Sequence, residues 1–230
     1  MTETRRLPPS RHVIFEFAGM PKSGKTTVLD VVAHYLRRHH IPLAEYHGGG
    51  RYAPIDKDHI GRLNLYLASE ALRYLLTTTQ PGLPPKVHLM DRGLVDRLIF
   101  TRCLLAMGRI DEAHSSAIEQ LLAVNELAGV VDACAIFHTS PELSLARELR
   151  NRLVDKQGRV INSDLLTGLA TAAVAAGRAG DRIHVARSVF VVDTTLSNDR
   201  VRETAIGVLR RIAPILASCG IDLPEPRLTT

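Results

Sequence analysis

The sequence predicts an α/β protein with about five parallel strands in one sheet, covered by helices on both faces. Three observations carry that expectation. Short apolar runs rich in β-branched residues alternate with longer stretches of helical periodicity. The alternation continues from residue 11 to about residue 220 without a linker or an internal repeat. Each strand-like run is followed by a helical one, so successive strands need crossover connections, which make them parallel and bury both faces.

In chain order, residues 12–18 read as a buried strand. Residues 24–39 follow as a helix, with Val28, Val31, Val32, Tyr35 and Leu36 on one face. Pro42 limits the second strand to about residues 42–46. The glycines at 48, 49 and 50 lead to a helix over 60–77, which Pro81-Gly82 and Pro84-Pro85 end in a turn. Residues 86–90 form the third strand, and helices over 94–107 and 111–128 come next. The fourth strand covers 130–138, and Pro141 opens the following helix at a favoured first-turn position. Residues 151–162 are polar, 164–176 an Ala-rich helix and 188–193 the fifth strand. Val201, Ala205, Val208, Leu209, Ile212 and Leu216 stripe the last helix. One domain over 11–220 is expected, flanked by a disordered tail at 1–10 and another tail at 221–230.

Composition narrows the function classes. Hydrophobic residues make up 45% of 230, enough for a sizeable core. Aromatics are 4% and Trp is absent, which leaves little material for stacking single-stranded nucleic acid. The excess of 29 Lys and Arg over 24 Asp and Glu suits an anionic ligand. Cys103, Cys134 and Cys219 are odd in number and unpaired in spacing, which argues against a disulfide framework or a zinc site. Cys103 and Cys134 fall in apolar runs and read as core. The ten histidines show no metal-ligand spacing, and His39-His40 reads as a cap at a helix end. With no apolar leader and no span of membrane length, the expectation is a cytoplasmic protein. A homodimer is compatible with this composition.

Gly19-Met-Pro-Lys-Ser-Gly24-Lys25-Thr26 matches the phosphate-binding pattern G-x-x-x-x-G-K-[ST], between a predicted strand and an amphipathic helix. Its glycines let successive amides, including those of Lys22, Ser23 and Gly24, curl around a β-phosphate. The helix start, with Thr26 and Thr27, adds its positive dipole end. Lys25, expected to point out toward ligand, neutralises the β- and γ-phosphates, and the Thr26 hydroxyl ligates Mg²⁺. Asp91 ends the apolar third strand in the Walker B manner and shares that metal. The fold expectation thereby sharpens to a three-layer P-loop NTPase that binds ATP and Mg²⁺.

With these residues in place, the chain resembles the thymidylate kinase and deoxynucleoside kinase group of P-loop kinases. Residues 15–27 carry the first part of the resemblance, although Ala18 stands where that group commonly has Glu, and no role is carried over to Glu16 two residues away. Asp91-Arg92-Gly93 resembles the Asp-Arg-Tyr/Ser and Glu-Arg-Ser of the group, and Asp96-Arg97-Leu-Ile-Phe100 resembles the Asp-Arg-Tyr-Ile-Phe that follows. This implies that Arg92 approaches the acceptor; the alternative is a surface ion pair. The run from Ser140 to Arg152 resembles the entry to a nucleotide-kinase lid, here over about 147–162. Arg147, Arg150 and Arg152 cannot share one helical face, and Arg147 and Arg152 are taken to stabilise the phosphoryl group in transfer. Asp193-Thr194 stands where the group packs a loop against adenine, or else caps the last helix. Glu45, Arg51 and Tyr52 flank the glycines after the second strand, where the group carries acceptor or base residues. Glu45 is a candidate base, Arg51 a candidate clamp and Tyr52 a candidate stacking partner, against a reading as turn residues.

The resemblance implies a phosphotransferase that moves the γ-phosphoryl of ATP to a small acceptor, a nucleoside or nucleoside monophosphate. Alternatives are a polynucleotide 5′-hydroxyl kinase, whose basic groove the dispersed Lys and Arg do not supply, and a slow regulatory ATPase. No Asn-Lys-x-Asp guanine motif is present, and Asp155-Lys-Gln-Gly158 falls in the lid region rather than at a switch position.

Overall fold

The computed structural model describes residues 9–150, 162–178, 183–195 and 200–228. Within them the strands are β1 (Val13–Gly19), β2 (Leu43–His47), β3 (Val87–Asp91), β4 (Ala133–His138) and β5 (Val189–Asp193). The helices are α1 (Lys25–Arg38), α2 (Ile60–Thr78), α3 (Leu94–Ala106), α4 (Glu112–Leu122), α5 (Pro141–Arg150), α6 (Ser163–Ala176) and α7 (Val201–Ser218). The strands form one parallel sheet in the order β2-β3-β1-β4-β5. This is the expected α/β architecture with helices on both faces.

Alternation along the central strand β1 builds both cores. Val13, Phe15 and Phe17 pack with Val28, Leu29 and Val32 of α1 and Val208, Leu209 and Ile212 of α7. Ile14 and Ala18 face the other way, toward Leu94 and Ile99 of α3 and Leu166 and Leu169 of α6. One residue breaks this apolar run: Glu16 is fully buried on the α3 face.

Three segments differ from expectation. The helix predicted over 111–128 stops at Leu122, with a 3₁₀ turn at Asn125–Leu127; Asp111 caps its start by accepting from the His114 amide at 2.7 Å. β4 begins at Ala133 because Val131 pairs only with Ala186, while the Asp132 carboxylate turns to accept from the Ile14 amide at 2.9 Å. Residues 221–228 run against the domain: Ile221 is buried with the α1–α7 core, and Tyr35 donates to the Pro224 carbonyl at 2.5 Å.

A polar cluster closes the amino end of the sheet. His88 at the start of β3 is buried, with Nδ1 2.9 Å from the Tyr74 hydroxyl and Nε2 3.0 Å from Nδ1 of His12. Burial first, and the neighbouring His12 second, push the His88 pKa down to about 4. The unfolded chain takes up this proton near pH 6.5, whereas the folded chain refuses it until about pH 4. The contribution to stability is therefore complete above pH 6.5 and is lost as pH falls toward 4. Urea unfolding at pH 7 and pH 4.5 should show this: in His88→Gln the loss of stability between the two should shrink by on the order of 2 kcal/mol. An unchanged difference would remove His88 from the pH response.

Candidate active site

The carboxyl ends of β3, β1 and β4 lie side by side on one edge of the sheet, and the loop after β1 follows there. Gly19, at φ 108°, starts the loop in a conformation that side chains rarely adopt, and a Cβ there would overlap the Phe137 carbonyl of β4. Lys22 is also left-handed at φ 55°, and Gly24 at φ 85° hands the chain to α1. The outer turn is gripped by α5. Ser144 donates to the Pro21 carbonyl at 2.8 Å, and Glu148 pairs with Lys22 at 2.7 Å. Ser23 is buried and donates to the Met20 carbonyl at 2.7 Å. Thr26 and Thr27 lie exposed at the helix start.

Lys25 departs from the expectation that it points outward. It is buried, and its ammonium donates to the carbonyls of Met20 at 2.5 Å and Gly19 at 3.3 Å. It makes no ion pair among the described residues. Burial, and then the charge of Arg92, lower its pKa to about 7. The loop carbonyls occupy the ammonium where a polyphosphate would otherwise compete for it.

Beside it, the Thr26 hydroxyl donates to Oδ2 of Asp91 at 2.5 Å. The other Asp91 oxygen is buried without a hydrogen-bond partner among the described residues. A hydroxyl and an orphaned carboxylate oxygen at the mouth of a phosphate loop form a hard oxygen donor set that fits Mg²⁺.

The turn after β3 brings Arg92 into the site. Its backbone is left-handed at φ 70°, and its amide donates to the Phe17 carbonyl at 3.0 Å. The guanidinium is not a surface ion pair. It bonds both carboxylate oxygens of buried Asp96, at 3.2 and 3.0 Å, and the Gly19 carbonyl at 3.3 Å. Asp96 also accepts from the Gly19 amide at 2.8 Å and from Arg97. Burial alone would raise the Asp96 pKa, but Arg92, Arg97 and Lys25 outweigh it and hold the carboxyl below its usual range. Arg97 reaches Asn64 of α2, whose amide donates to Thr101 at 2.8 Å. Glu16, Asp96, Arg97 and Asn64 thus belong to the site's buried frame. Glu16 was legible only as a charge inside an apolar strand run, and Asp96 only as part of a motif.

The remaining sequence candidates divide. Glu45 is not at a strand end: it lies inside β2 opposite Leu89, on the α1 face, and its carboxylate pairs with Arg37 in the last turn of α1. The strand runs on to His47, so Glu45 falls one pleat repeat, about 6.6 Å, short of the edge. His47 is exposed there, in register with Asp91. Arg51 is exposed in the 3₁₀ turn Gly50–Tyr52, and the Tyr52 side chain lies outside what the structure describes. Arg147 lies against the loop, donating to the carbonyls of Lys22 at 3.1 Å and Thr194 at 2.8 Å. Arg152 and lid residues 151–161 fall outside the described residues. Thr194 donates to the Ser23 carbonyl at 2.9 Å, and Asp193 accepts from the Thr195 amide at 2.9 Å. Neither caps α7, whose N-cap position is Arg200.

A buried ammonium that touches no carboxylate among the described residues costs stability in the ligand-free chain. Lys25→Met, of similar length, should therefore melt at the wild-type temperature or a few degrees above it. A fall of more than about 5 °C in a thermal melt would show that the fold depends on the ammonium.

No protein-family model and no curated protein matches the sequence. Solved structures do. Deoxyadenosine kinase from M. mycoides with bound dATP aligns at a TM-score of 0.60 and 12% identity, covering 87% of this chain and 99% of that one. The same enzyme with bound dCTP aligns at 0.60 and 15%, over 87% and 100%. With the products dCMP and a flexible dCDP it aligns at 0.60 and 13%, over 87% and 98%. At such identities the shared property is the fold, and the chain has the fold of this deoxyadenosine kinase.

Proposed function

We propose that this chain is a phosphotransferase that moves the γ-phosphoryl of ATP to a nucleoside or nucleoside monophosphate. The observation that carries the reading is the Thr26–Asp91 contact at the mouth of the phosphate loop, with Lys25 and Arg92 on either side. Full-length structural likeness to kinases solved with deoxynucleotides supports a nucleoside-type acceptor.

In this reading the loop amides and the positive end of α1 cradle the β-phosphate. Lys25 leaves the Met20 carbonyl for the β- and γ-phosphate oxygens, whose charge restores its own. Thr26 and Asp91 would hold Mg²⁺, which when bound neutralises phosphate charge and orients the γ-group. The acceptor lies between the 48–52 loop and the Asp91–Arg92 corner, beyond the carboxyl ends of β2 and β3. Its oxygen forms a bond to the γ-phosphorus as the bond to the ADP oxygen breaks. A hydroxyl acceptor passes its proton to Asp91, directly or through one water, whereas a phosphate acceptor needs no base. Arg92 stabilises the equatorial oxygens. Arg51 and Tyr52 are the acceptor-side candidates on the loop. Glu45 is set aside as the base, because Arg37 holds it on the α1 face. Thr194 and Asp193 flank the nucleotide side, and the segment 147–162 serves as a lid that brings Arg152 to the transferring group.

The deciding experiment is transfer from labelled ATP to nucleosides, nucleoside monophosphates and 5′-hydroxyl oligonucleotides, with Mg²⁺ present. Labelled nucleotide product supports the reading. Transfer to oligonucleotides alone, or release to water alone, overturns it in favour of a polynucleotide kinase or a regulatory ATPase. Lys25→Ala should abolish turnover. Arg147→Ala should raise KM for ATP more than it lowers kcat, because its donors are committed to the carbonyls that shape the loop. A fall in kcat at unchanged KM would instead make Arg147 a transition-state residue.

A further inference from the structure

Gly93 occupies the N-cap position of α3, where Ser, Thr, Asp and Asn are favoured. Its φ of −123° is open to any residue and its ψ of −141° falls just past the extended range, so the backbone favours glycine only in part. Gly93 offers no side chain to the first amides of that helix. A Cβ built on Gly93 would sit 2.7 Å from Oε2 and 2.8 Å from the carboxyl carbon of Glu16. A carboxylate from another strand fills the space that a capping side chain would take. Oε1 of Glu16 accepts from the Gly93 amide at 2.9 Å and the Asp96 amide at 2.7 Å, and Oε2 accepts from the Val95 amide at 3.1 Å. Every donor that a capping side chain would satisfy is satisfied from β1.

We propose that Glu16 is a positioning residue: it caps α3 across the fold and so holds Arg92 and Asp96 in the geometry used for phosphoryl transfer. The chain of contacts is continuous. The capped turn begins one residue after Arg92, whose left-handed backbone needs both neighbours fixed. It also carries Asp96, whose carboxylate grips the Arg92 guanidinium and the Gly19 amide together. The phosphate loop and the acceptor corner are thereby set relative to each other through one helix end. The part concerning turnover rests on the function proposed above, whereas the cap itself does not.

The two positions are interdependent, and this gives a test that simple loss of stability would not pass. Three variants are compared by thermal melting and by kcat and KM for ATP, with deoxyadenosine as the first acceptor probe. Gly93→Ser alone should lower the melting temperature, because its side chain meets the Glu16 carboxylate. Glu16→Ala alone should lower it as well, and should cut kcat about ten- to a hundredfold with a smaller change in KM for ATP. The double variant should melt above both single variants and recover most of the lost kcat. In it the introduced hydroxyl meets no carboxylate and caps α3 in its place. Where Glu16→Ala folds too poorly to assay alone, Glu16→Gln replaces it as the single variant, because its amide nitrogen faces the Val95 amide, donor against donor. The double variant keeps Glu16→Ala, since Gln would fill the same space beside Gly93. A Gly93→Ser chain that melts as wild type, or a double variant no more stable than the weaker single, overturns the cap. Recovery of melting without recovery of kcat overturns the positioning role. Absence of phosphoryl transfer by the wild type would count against the proposed function and leave the melting comparison standing.

Discussion

One buried carboxylate organises the site. Asp96 has no exposed surface, yet it receives the Gly19 amide, the guanidinium groups of Arg92 and Arg97, and the field of Lys25. Three cations, Lys25, Arg92 and Arg97, converge there with the carboxyl groups of Asp96, Asp91 and Glu16. Taking such groups out of water is costly, and the arrangement holds only because nearly every lone pair and proton among them finds a partner. Glu16 shows the strain of this balance. Burial, the largest effect, raises its pKa to about 7 despite three amide donors. Ionising it across roughly pH 4.5–7 therefore works against folding, opposite in sign to the histidine at the other end of the sheet.

The phosphate loop is held from two directions. From within, Asp96 fixes the Gly19 amide, and the Met20 amide donates to the Phe137 carbonyl at 3.0 Å. From outside, α5 contributes Ser144, Arg147 and Glu148, and the end of β5 contributes Thr194. The outer contacts are hydrogen bonds and an ion pair to backbone or to an exposed lysine, each worth little alone. Their common effect is to hold the loop's curve in the ligand-free chain, so that any ligand binding there would leave less ordering to be done.

The sheet separates its duties along its length. At the amino ends of the strands, polar groups are spent on closure: His12, His88 and Tyr74 in one cluster, and Asp132 with Arg11 and the Ile14 amide in another. At the carboxyl ends, the strands bring Gly19, Asp91 and the His138–Asp193 register to one edge of the sheet. This follows from parallel strands with crossover helices, which place every strand-to-helix turn on the same edge.

What the sequence determined by itself was local and periodic. The alternation of apolar runs and helical stripes specified five strands in a parallel sheet, and the spacing of Gly19, Gly24, Lys25 and Thr26 placed a turn between the first strand and the first helix, because both depend on neighbours along the chain. Asp91 and Arg92 were legible for the same reason, as the end of a strand. Partners far apart in the chain were not. Nothing near Arg147 announces the carbonyls of Lys22 and Thr194, 125 and 47 residues away, and nothing near Gly93 announces Glu16, 77 residues earlier. Only the packed sheet decided that Lys25 turns inward, that Asp96 is the hub and that a strand residue caps a helix, since a buried charge takes its partner from whatever the fold brings within about 3 Å.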